Sequence, residues 1–141
     1  MAHLGQALYD ADPKLLRPHL WIVITDPAVN PQSVVMVSIS SVRRGRTVDK
    51  ACILCAQAHE QIRHESFASY ARAQVFTAEQ IDSMISKGLY STRTDVNEYW
   101  LNELREGLLR SQHALNKHKE ILREEQRRRL EDDSSNEELP F

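Results

Sequence analysis

The chain has little of what several structural classes require. It contains only two cysteines, Cys52 and Cys55, which are too few and too close together to hold a secreted scaffold by disulfides. No stretch approaches the roughly eighteen uninterrupted apolar residues of a membrane-spanning helix. The first residues, which include Asp10 and Asp12, lack the charged and then apolar pattern of a signal peptide. These absences predict a cytoplasmic protein with reduced thiols and no membrane partner.

Several catalytic motifs are also missing. The sequence has no glycine-rich phosphate loop, no Gly-x-Ser-x-Gly elbow and no His-Glu-x-x-His pair, so nucleotide hydrolysis, serine esterase activity and zinc proteolysis have no support. The formal net charge is -2 at pH 7. Any binding of nucleic acid must therefore come from a local basic patch rather than from the charge of the whole chain.

The first half of the chain predicts a small sheet. At 141 residues with 41% hydrophobic content, the chain is long enough for one domain with its own core. Residues 1–16 show no sustained period, and we interpret them as an N-terminal arm. Residues 20–25, 34–39, 51–55 and 67–76 are β-branched, aromatic or alternating runs, and the first three are joined by two hairpin-like connections. They predict a small antiparallel sheet or barrel, so the fold class is α+β.

The second half predicts helices. Thr77 and Gln80 have the spacing of a capping box, and Gly88 ends the short helix that it starts. Residues 94–130 predict one long amphipathic helix, whose leucine stripe is typical of a packing or dimer seam. Residues 131–141 are acidic and predict a disordered tail. The leucines of the stripe are Leu101, Leu104, Leu108, Leu115 and Leu122.

An arginine and a serine stand at the ends of adjacent predicted strands. Arg17-Pro18 opens the segment RPHLWIVIT, and the next strand, VMVSIS, ends at Ser40. Ser66 precedes the last strand of the sheet, and a short helix, a Gly-Leu step and an amphipathic helix follow. In these features residues 17–109 resemble the PemK/MazF-type toxin endoribonucleases. The resemblance implies that residues 17–93 form a small SH3-like β-barrel with a short helix.

The resemblance also implies an activity. Toxins of this type cleave single-stranded RNA without a metal or cofactor, through a 2′,3′-cyclic phosphate. Arg17 would stabilise the charge that grows on the phosphoryl oxygens, and Ser40 would hold the phosphate. Single-stranded RNA, a cognate antitoxin protein and a second copy of the chain are the partners that we expect.

Two further groups of residues suit the same chemistry. His59 and His64 lie in one predicted loop and would serve as general base and general acid. Arg43, Arg44 and Arg46 form a basic loop after the second strand, and this loop would follow an RNA backbone. Ser66 and an aromatic ring, at Trp21, Phe67 or Tyr70, complete the expected RNA contacts.

Two alternatives stay open. Cys52, Cys55, His59 and His64 are ligand types that suit zinc, although only three residues separate Cys55 from His59. The alternative is that the two thiols are buried and act as small core residues. The whole chain also fits a non-catalytic interaction module or scaffold, in which the leucine-striped helix and the acidic tail contact a partner protein.

Overall fold

The fold combines an antiparallel sheet with helices, as the sequence predicted. The computed structural model describes residues 1–137. Its strands pair in the order β4-β5-β3-β2-β1-β6, so β4 and β6 are the edges of an open sheet. Among the described residues, no helix is both long and apolar enough to cross a membrane. The elements are β1 (Ala7–Asp10), β2 (Leu20–Val23), β3 (Val34–Ser41), β4 (Ile53–Leu54), β5 (Ser66–Phe76), α1 (Ala78–Ser86), β6 (Tyr90–Arg93), α2 (Glu98–Arg110) and α3 (Asn116–Glu137).

The central strands β2 and β3 are apolar on both faces because each face of the sheet is covered. Val35 and Val37 lie in the larger core, which α2 and α3 complete, whereas Val34 and Met36 lie in a smaller core. Ile81 of α1 closes the smaller core and is fully buried. The alternation of strand side chains between the two faces therefore explains why both strands read as continuous hydrophobic runs.

The prediction of an irregular arm at residues 1–16 is wrong for its middle. Residues 7–10 form β1, which pairs antiparallel with both β2 and β6. Ala7 and Leu8 are completely buried, on opposite sides of the sheet. A strand of four residues is too short to show a period in the sequence, and its position depends on pairing with distant residues.

The edges of the sheet also differ from the predicted hairpins. The β2–β3 hairpin is present, but the short β4 pairs with β5 instead of β3. The edge strand β6 follows α1 and was not predicted. The capping box of α1 is confirmed, since Thr77 Oγ1 accepts from the N–H of Gln80 and Gln80 Oε1 accepts from the N–H of Thr77. Gly88, with a φ of 77°, follows the helix in the left-handed region that favours glycine.

The predicted long helix is divided into two helices. Ser111 has extended backbone, and its Oγ accepts from the N–H groups of His113 and Ala114, both at 3.0 Å. Such local bonds compete with helical ones, so α2 ends at Arg110. The leucine stripe folds back on the chain itself, because Leu104 and Leu108 of α2 and Leu122 of α3 are fully buried in the larger core.

The C-terminal tail is partly helical. Helix α3 continues to Glu137 and so includes residues 131–137 of the predicted tail. The rest of that predicted tail, residues 138–141, lies outside the described residues. Helix α3 is anchored near its middle by Glu125, whose buried carboxylate accepts from Arg105 and Arg129 and from the backbone N–H of Asp26.

Candidate nucleic-acid interface

A cleft of about 600 Å³ opens at one end of the sheet. Because neighbouring strands are antiparallel, the start of β2, the end of β3 and the start of β5 lie together there. Arg17, immediately before this part of β2, and Ser40, near the end of β3, both line the cleft. The structure therefore places the predicted arginine and serine in one cavity, as the order of the strands led us to expect.

The lining of the cleft is strongly cationic. Four arginines line it, and Asp49 is its single carboxylate. All four are exposed, and among the side chains that the structure describes none of the four guanidinium groups has a hydrogen-bond or ion-pair partner. A protein with a formal charge of -2 thus concentrates positive charge where an anion can enter. The arginines are Arg17, Arg43, Arg46 and Arg72.

Two serine hydroxyls meet on one wall of the cleft. Ser40 Oγ of β3 lies 2.8 Å from Ser69 Oγ of β5, and both residues line the cavity. Ser40 is half-buried, whereas Ser69 is buried. In such a pair one hydroxyl donates to the other, and the accepting hydroxyl keeps its own hydrogen for a ligand oxygen. The pair can therefore donate one hydrogen bond to a phosphate.

An irregularity in β5 brings Arg72 into the cleft. The register changes from Met36 opposite Gln74 to Ser38 opposite Ser69, so residues 70–73 face Val37 alone. This bulge breaks the alternation of the strand, and the exposed side chain of Arg72 lines the cavity. Bulges of this kind are common beside active sites, where they redirect a side chain.

Two histidines that sequence reasoning missed line the cleft. His19 precedes β2 and His113 lies in the turn between α2 and α3. Asp10 accepts from the backbone N–H of His19 at 2.9 Å and from the indole N–H of Trp21 at 3.1 Å. Asp10 Oδ2 also lies 4.0 Å from His19 Nδ1, so this carboxylate fixes the segment that presents the imidazole.

The two histidines predicted as general base and acid lie elsewhere. His59 is buried, its Nε2 lies 2.5 Å from the carbonyl oxygen of Thr94, and its Nδ1 accepts from the N–H of Gln61 at 3.0 Å. These contacts make it a structural residue that connects the segment after β4 to the segment after β6. His64 is exposed and does not line the cleft. The structure therefore gives neither residue a place beside Arg17 and Ser40.

The predicted RNA contacts are divided between exposed and buried residues. Arg43 and Arg46 line the cleft, whereas Arg44 of the same loop is exposed and does not line it. Ser66 is buried, and its hydroxyl donates to the carbonyl oxygen of His64 at 2.8 Å. This residue is thus occupied within the protein and is not available to RNA in this structure.

Tyr70 is one of the residues that line the cleft, but its ring is not exposed there. Its side chain is fully buried, and its hydroxyl donates to the carbonyl oxygen of Leu104 in α2 at 2.7 Å. Burial, together with the nearby thiol of Cys52, raises the pKa of Tyr70 far above its usual range. A ring in this position cannot stack on a base, so Tyr9 and Phe67, which are half-buried in the cleft lining, are the aromatic surfaces available.

The four possible zinc ligands do not converge. Within the described part of the chain, no three His, Cys, Asp or Glu side chains are grouped so that they can hold a metal ion. Cys52 is buried, and burial with the nearby carboxylate of Glu103 raises the pKa of its thiol to about 11. Cys55 is exposed. Cys52 thus behaves as a small core residue, the other interpretation that the sequence left open.

Among the residues that sequence reasoning missed, only His19 had a signal in the sequence. His19 directly follows Arg17-Pro18, so its place in the cleft follows from that of Arg17. Arg72 and His113 had none, because a bulge and a turn between helices position them.

In comparisons with known proteins, no family model and no curated protein matches the chain.

Proposed function

We propose that the chain is a metal-independent endoribonuclease that cleaves single-stranded RNA, as PemK/MazF-type toxins do. One observation carries the proposal: Arg17 and Ser40 share a cleft with three further arginines, which have no hydrogen-bond or ion-pair partner among the described side chains. Guanidinium groups bind phosphate oxygens bidentately, and several of them along one cleft suit a chain of phosphates better than a small metabolite. The half-buried rings of Tyr9 and Phe67 provide stacking surfaces for bases.

The reaction is a transfer of the phosphoryl group within the RNA. The ribose 2′-hydroxyl attacks the adjacent phosphorus and loses its proton to a base, while the bond from phosphorus to the 5′-oxygen breaks and the leaving oxygen gains a proton. The products are a 2′,3′-cyclic phosphate and a 5′-hydroxyl. Arg17 and the Ser40–Ser69 pair stabilise the charge on the phosphoryl oxygens. His19 and His113 replace His59 and His64 as the proposed proton acceptor and donor.

The proposal extends to the fold and the location of the protein. We regard the open sheet, with its strongly irregular β5, as a variant of the SH3-like barrel of the toxins. Two elements support this relation: the β2–β3 hairpin, and the capped α1 that follows β5. Free Cys52 and Cys55 suit the reducing cytoplasm, in which such an enzyme would meet its RNA.

Two protein partners belong to the same proposal, a cognate antitoxin and a second copy of the chain. Leu104, Leu108 and Leu122 are buried within one chain, so a homodimer has to use another surface. Sedimentation of the purified protein tests this part directly. One chain has a mass of 16.3 kDa, and we expect a species of twice that mass.

The test of the activity is cleavage of a mixed-sequence single-stranded RNA in the presence of a chelator. We expect Arg17→Ala to slow cleavage about a hundredfold, as the loss of one oxyanion donor does. Ser40→Ala should cost about tenfold, the value of one hydrogen bond. Arg63→Ala is the matched control, because Arg63 is exposed and outside the cleft.

Circular dichroism establishes that each variant is folded before the rates are compared. Equal rates for Arg17→Ala and Arg63→Ala would contradict the proposal. RNA that stays intact with the unmodified protein would favour the alternative, a non-catalytic interaction module. Its candidate surface is the second half of α3, which is densely charged beyond Leu122.

A further inference from the structure

A row of polar residues crosses the sheet at the end where the cleft opens. Asp10, the last residue of β1, is paired with His19 through the backbone, because the N–H of Asp10 donates to the carbonyl oxygen of His19 at 3.1 Å. The β2–β3 register pairs Leu20 with Ile39, and its continuation by one residue sets His19 opposite Ser40. The three residues are therefore neighbours across three strands, with His19 in the middle.

The side chains of this row lie on one face of the sheet. Successive side chains of a strand alternate between its two faces. Leu20 and the residue paired with it belong to the larger core, so His19 and Ser40, next to them in the chain, project from the opposite face. Asp10 projects from that face too, since its carboxylate reaches the indole N–H of Trp21, whose ring packs against the smaller core. The imidazole of His19 thus lies between a carboxylate and a hydroxyl.

The carboxylate of Asp10 is held in place and still has room for one more donor. Its Oδ1 accepts from the indole of Trp21, and its Oδ2 accepts from the backbone N–H of His19. The side chain of Asp10 is only 10% exposed, and Oδ2 lies 4.0 Å from Nδ1 of His19. A movement of the imidazole by about 1 Å would complete a hydrogen bond to the second lone pair of Oδ2. Within residues 1–137, Nε2 of His19 has no hydrogen-bond partner.

We propose that Asp10 is a positioning residue, which orients His19 for the cleavage of RNA. In the neutral imidazole Nδ1 carries the proton and faces Asp10, so Nε2 keeps its lone pair for the ribose 2′-hydroxyl. When the 2′-oxygen attacks the phosphorus, its proton passes to Nε2, and Asp10 accepts from the Nδ1–H of the imidazolium that forms. Ser40, the next residue in the row, holds the same phosphate. The inference rests on the proposed function for the identity of the reaction.

The tautomer of His19 is the first test, and it needs no RNA. Free histidine favours the Nε2–H tautomer, so an Nδ1–H tautomer indicates that an acceptor holds Nδ1. Long-range ¹H–¹⁵N NMR spectra of protein labelled with ¹⁵N-histidine distinguish the two forms at about pH 8, where an ordinary imidazole is neutral. The variant His19→Gln assigns the signal. We expect the Nδ1–H tautomer in the unmodified protein and a change towards Nε2–H in Asp10→Ala.

The kinetics of RNA cleavage test whether this orientation serves the reaction. Asp10→Ala should lower kcat about tenfold or more, the value of a hydrogen bond to a charged group, and should change KM less than about twofold. In a protein that already carries His19→Ala, the same substitution should have no further effect on kcat. Asp95→Ala is the matched control for both tests, because it removes a carboxylate 2.7 Å from Nε2 of His3, outside the cleft. It should change neither the His19 signal nor kcat.

The outcomes separate this inference from the proposed function. An Nε2–H tautomer in the unmodified protein, or an Nδ1–H tautomer that persists in Asp10→Ala, would overturn the inference even if RNA is cleaved. An equal loss of kcat with and without His19 would also overturn it, because Asp10 would then act on the fold alone. If no RNA is cleaved, the proposed function fails, and an Nδ1–H tautomer that depends on Asp10 still supports the orientation of His19. If Asp10→Ala does not fold, the tautomer in the unmodified protein decides.

Discussion

Replacing Gly107 by alanine should destabilise the protein, although the change lies inside a helix. Gly107 is buried on the face of α2 that packs against β5. A Cβ at this position would overlap the hydroxyl of Tyr70, and it would lie 3.0 Å from Cys52 Cβ and 3.1 Å from Tyr70 Cζ. Tyr70 cannot move away easily, because its ring is fully buried and its hydroxyl donates to Leu104.

The size of the change in unfolding free energy follows from one contribution that stabilises the variant and two that destabilise it. The higher helix propensity of alanine favours the variant by about 1 kcal/mol. Overpacking of a rigid core costs about 1–3 kcal/mol. Displacing the Tyr70 hydroxyl from the carbonyl oxygen of Leu104 leaves buried polar groups unpaired and costs about 1–3 kcal/mol more. Because the first contribution opposes the other two, we expect the free energy of unfolding to fall by about 1–5 kcal/mol.

Urea denaturation followed by circular dichroism measures this change. Asn102→Ala, on the exposed face of the same helix, is the control and should be neutral or slightly stabilising. Tyr70→Phe removes the atom that alanine meets, so the double variant should be more stable than Gly107→Ala alone by about 1 kcal/mol or more. If Gly107→Ala is as stable as the unmodified protein, the close packing of α2 on β5 is refuted.

Three further variants test the anchoring of the helices. Glu125→Gln should cost about 3 kcal/mol in urea denaturation at pH 7, because it leaves the mostly buried guanidinium of Arg105 without its carboxylate. Burial raises the pKa of Glu125, but hydrogen bonds from Arg105 and from the backbone of Asp26 outweigh this effect and lower the pKa overall. The ionised carboxylate therefore stabilises the fold above the unfolded pKa of about 4.3, and this stabilisation is lost as the pH falls through the lower folded pKa. Acid titration of stability should therefore be shallower in Glu125→Gln. Burial lowers the pKa of His118, so as the pH falls the unfolded chain binds this proton before the folded protein does. Stability should therefore fall as the pH drops below about 6.5. Denaturation curves at pH 7.5 and 5.5 measure this loss, which His118→Leu should remove. Thr77→Ala should cost about 1 kcal/mol in thermal unfolding, since it removes the cap of α1; an unchanged melting temperature would contradict that role.

The parts of the fold that sequence could predict are those that local chemistry determines. The strands β2 and β3 are apolar, β-branched runs separated by a turn that contains Pro27 and Pro31. Helix α1 carries its own start and stop signals in Thr77 and Gly88. That Arg17 and Ser40 line one cleft could also be predicted from the local sequence, because a hairpin brings the start of one strand beside the end of the next. These features needed no knowledge of distant contacts.

The remaining features depend on tertiary structure. β1 is a strand because β2 and β6 supply its partners, and its four residues show no period of their own. The division of the long helix depends on hydrogen bonds of Ser111, including one to Asp49, which lies far away in the sequence. A stretch that lacks proline and is rich in helix-forming residues therefore predicted one helix where there are two.

In the candidate site, too, tertiary structure determines features that the sequence could not predict. Spacing in the sequence made His59 and His64 a plausible acid and base pair, but the carbonyl oxygen that holds His59 belongs to Thr94, 35 residues away. The bulge that exposes Arg72 and buries Tyr70 is a property of the pairing between β3 and β5. Side-chain direction in an irregular strand could not be read from its alternation, because the bulge resets it.

Attack by the ribose 2′-hydroxyl is tested most directly by the end groups of the RNA products. A single-stranded RNA is incubated with the protein and a chelator, beside the same RNA with one 2′-deoxy nucleotide at the mapped cleavage position, and the fragments are weighed by mass spectrometry. We predict fragments with 2′,3′-cyclic phosphate and 5′-hydroxyl ends from the first RNA, and no cleavage at the substituted position of the second. Cleavage of the deoxy-substituted position, or ends that carry a 3′-hydroxyl and a 5′-phosphate, would contradict the proposed reaction.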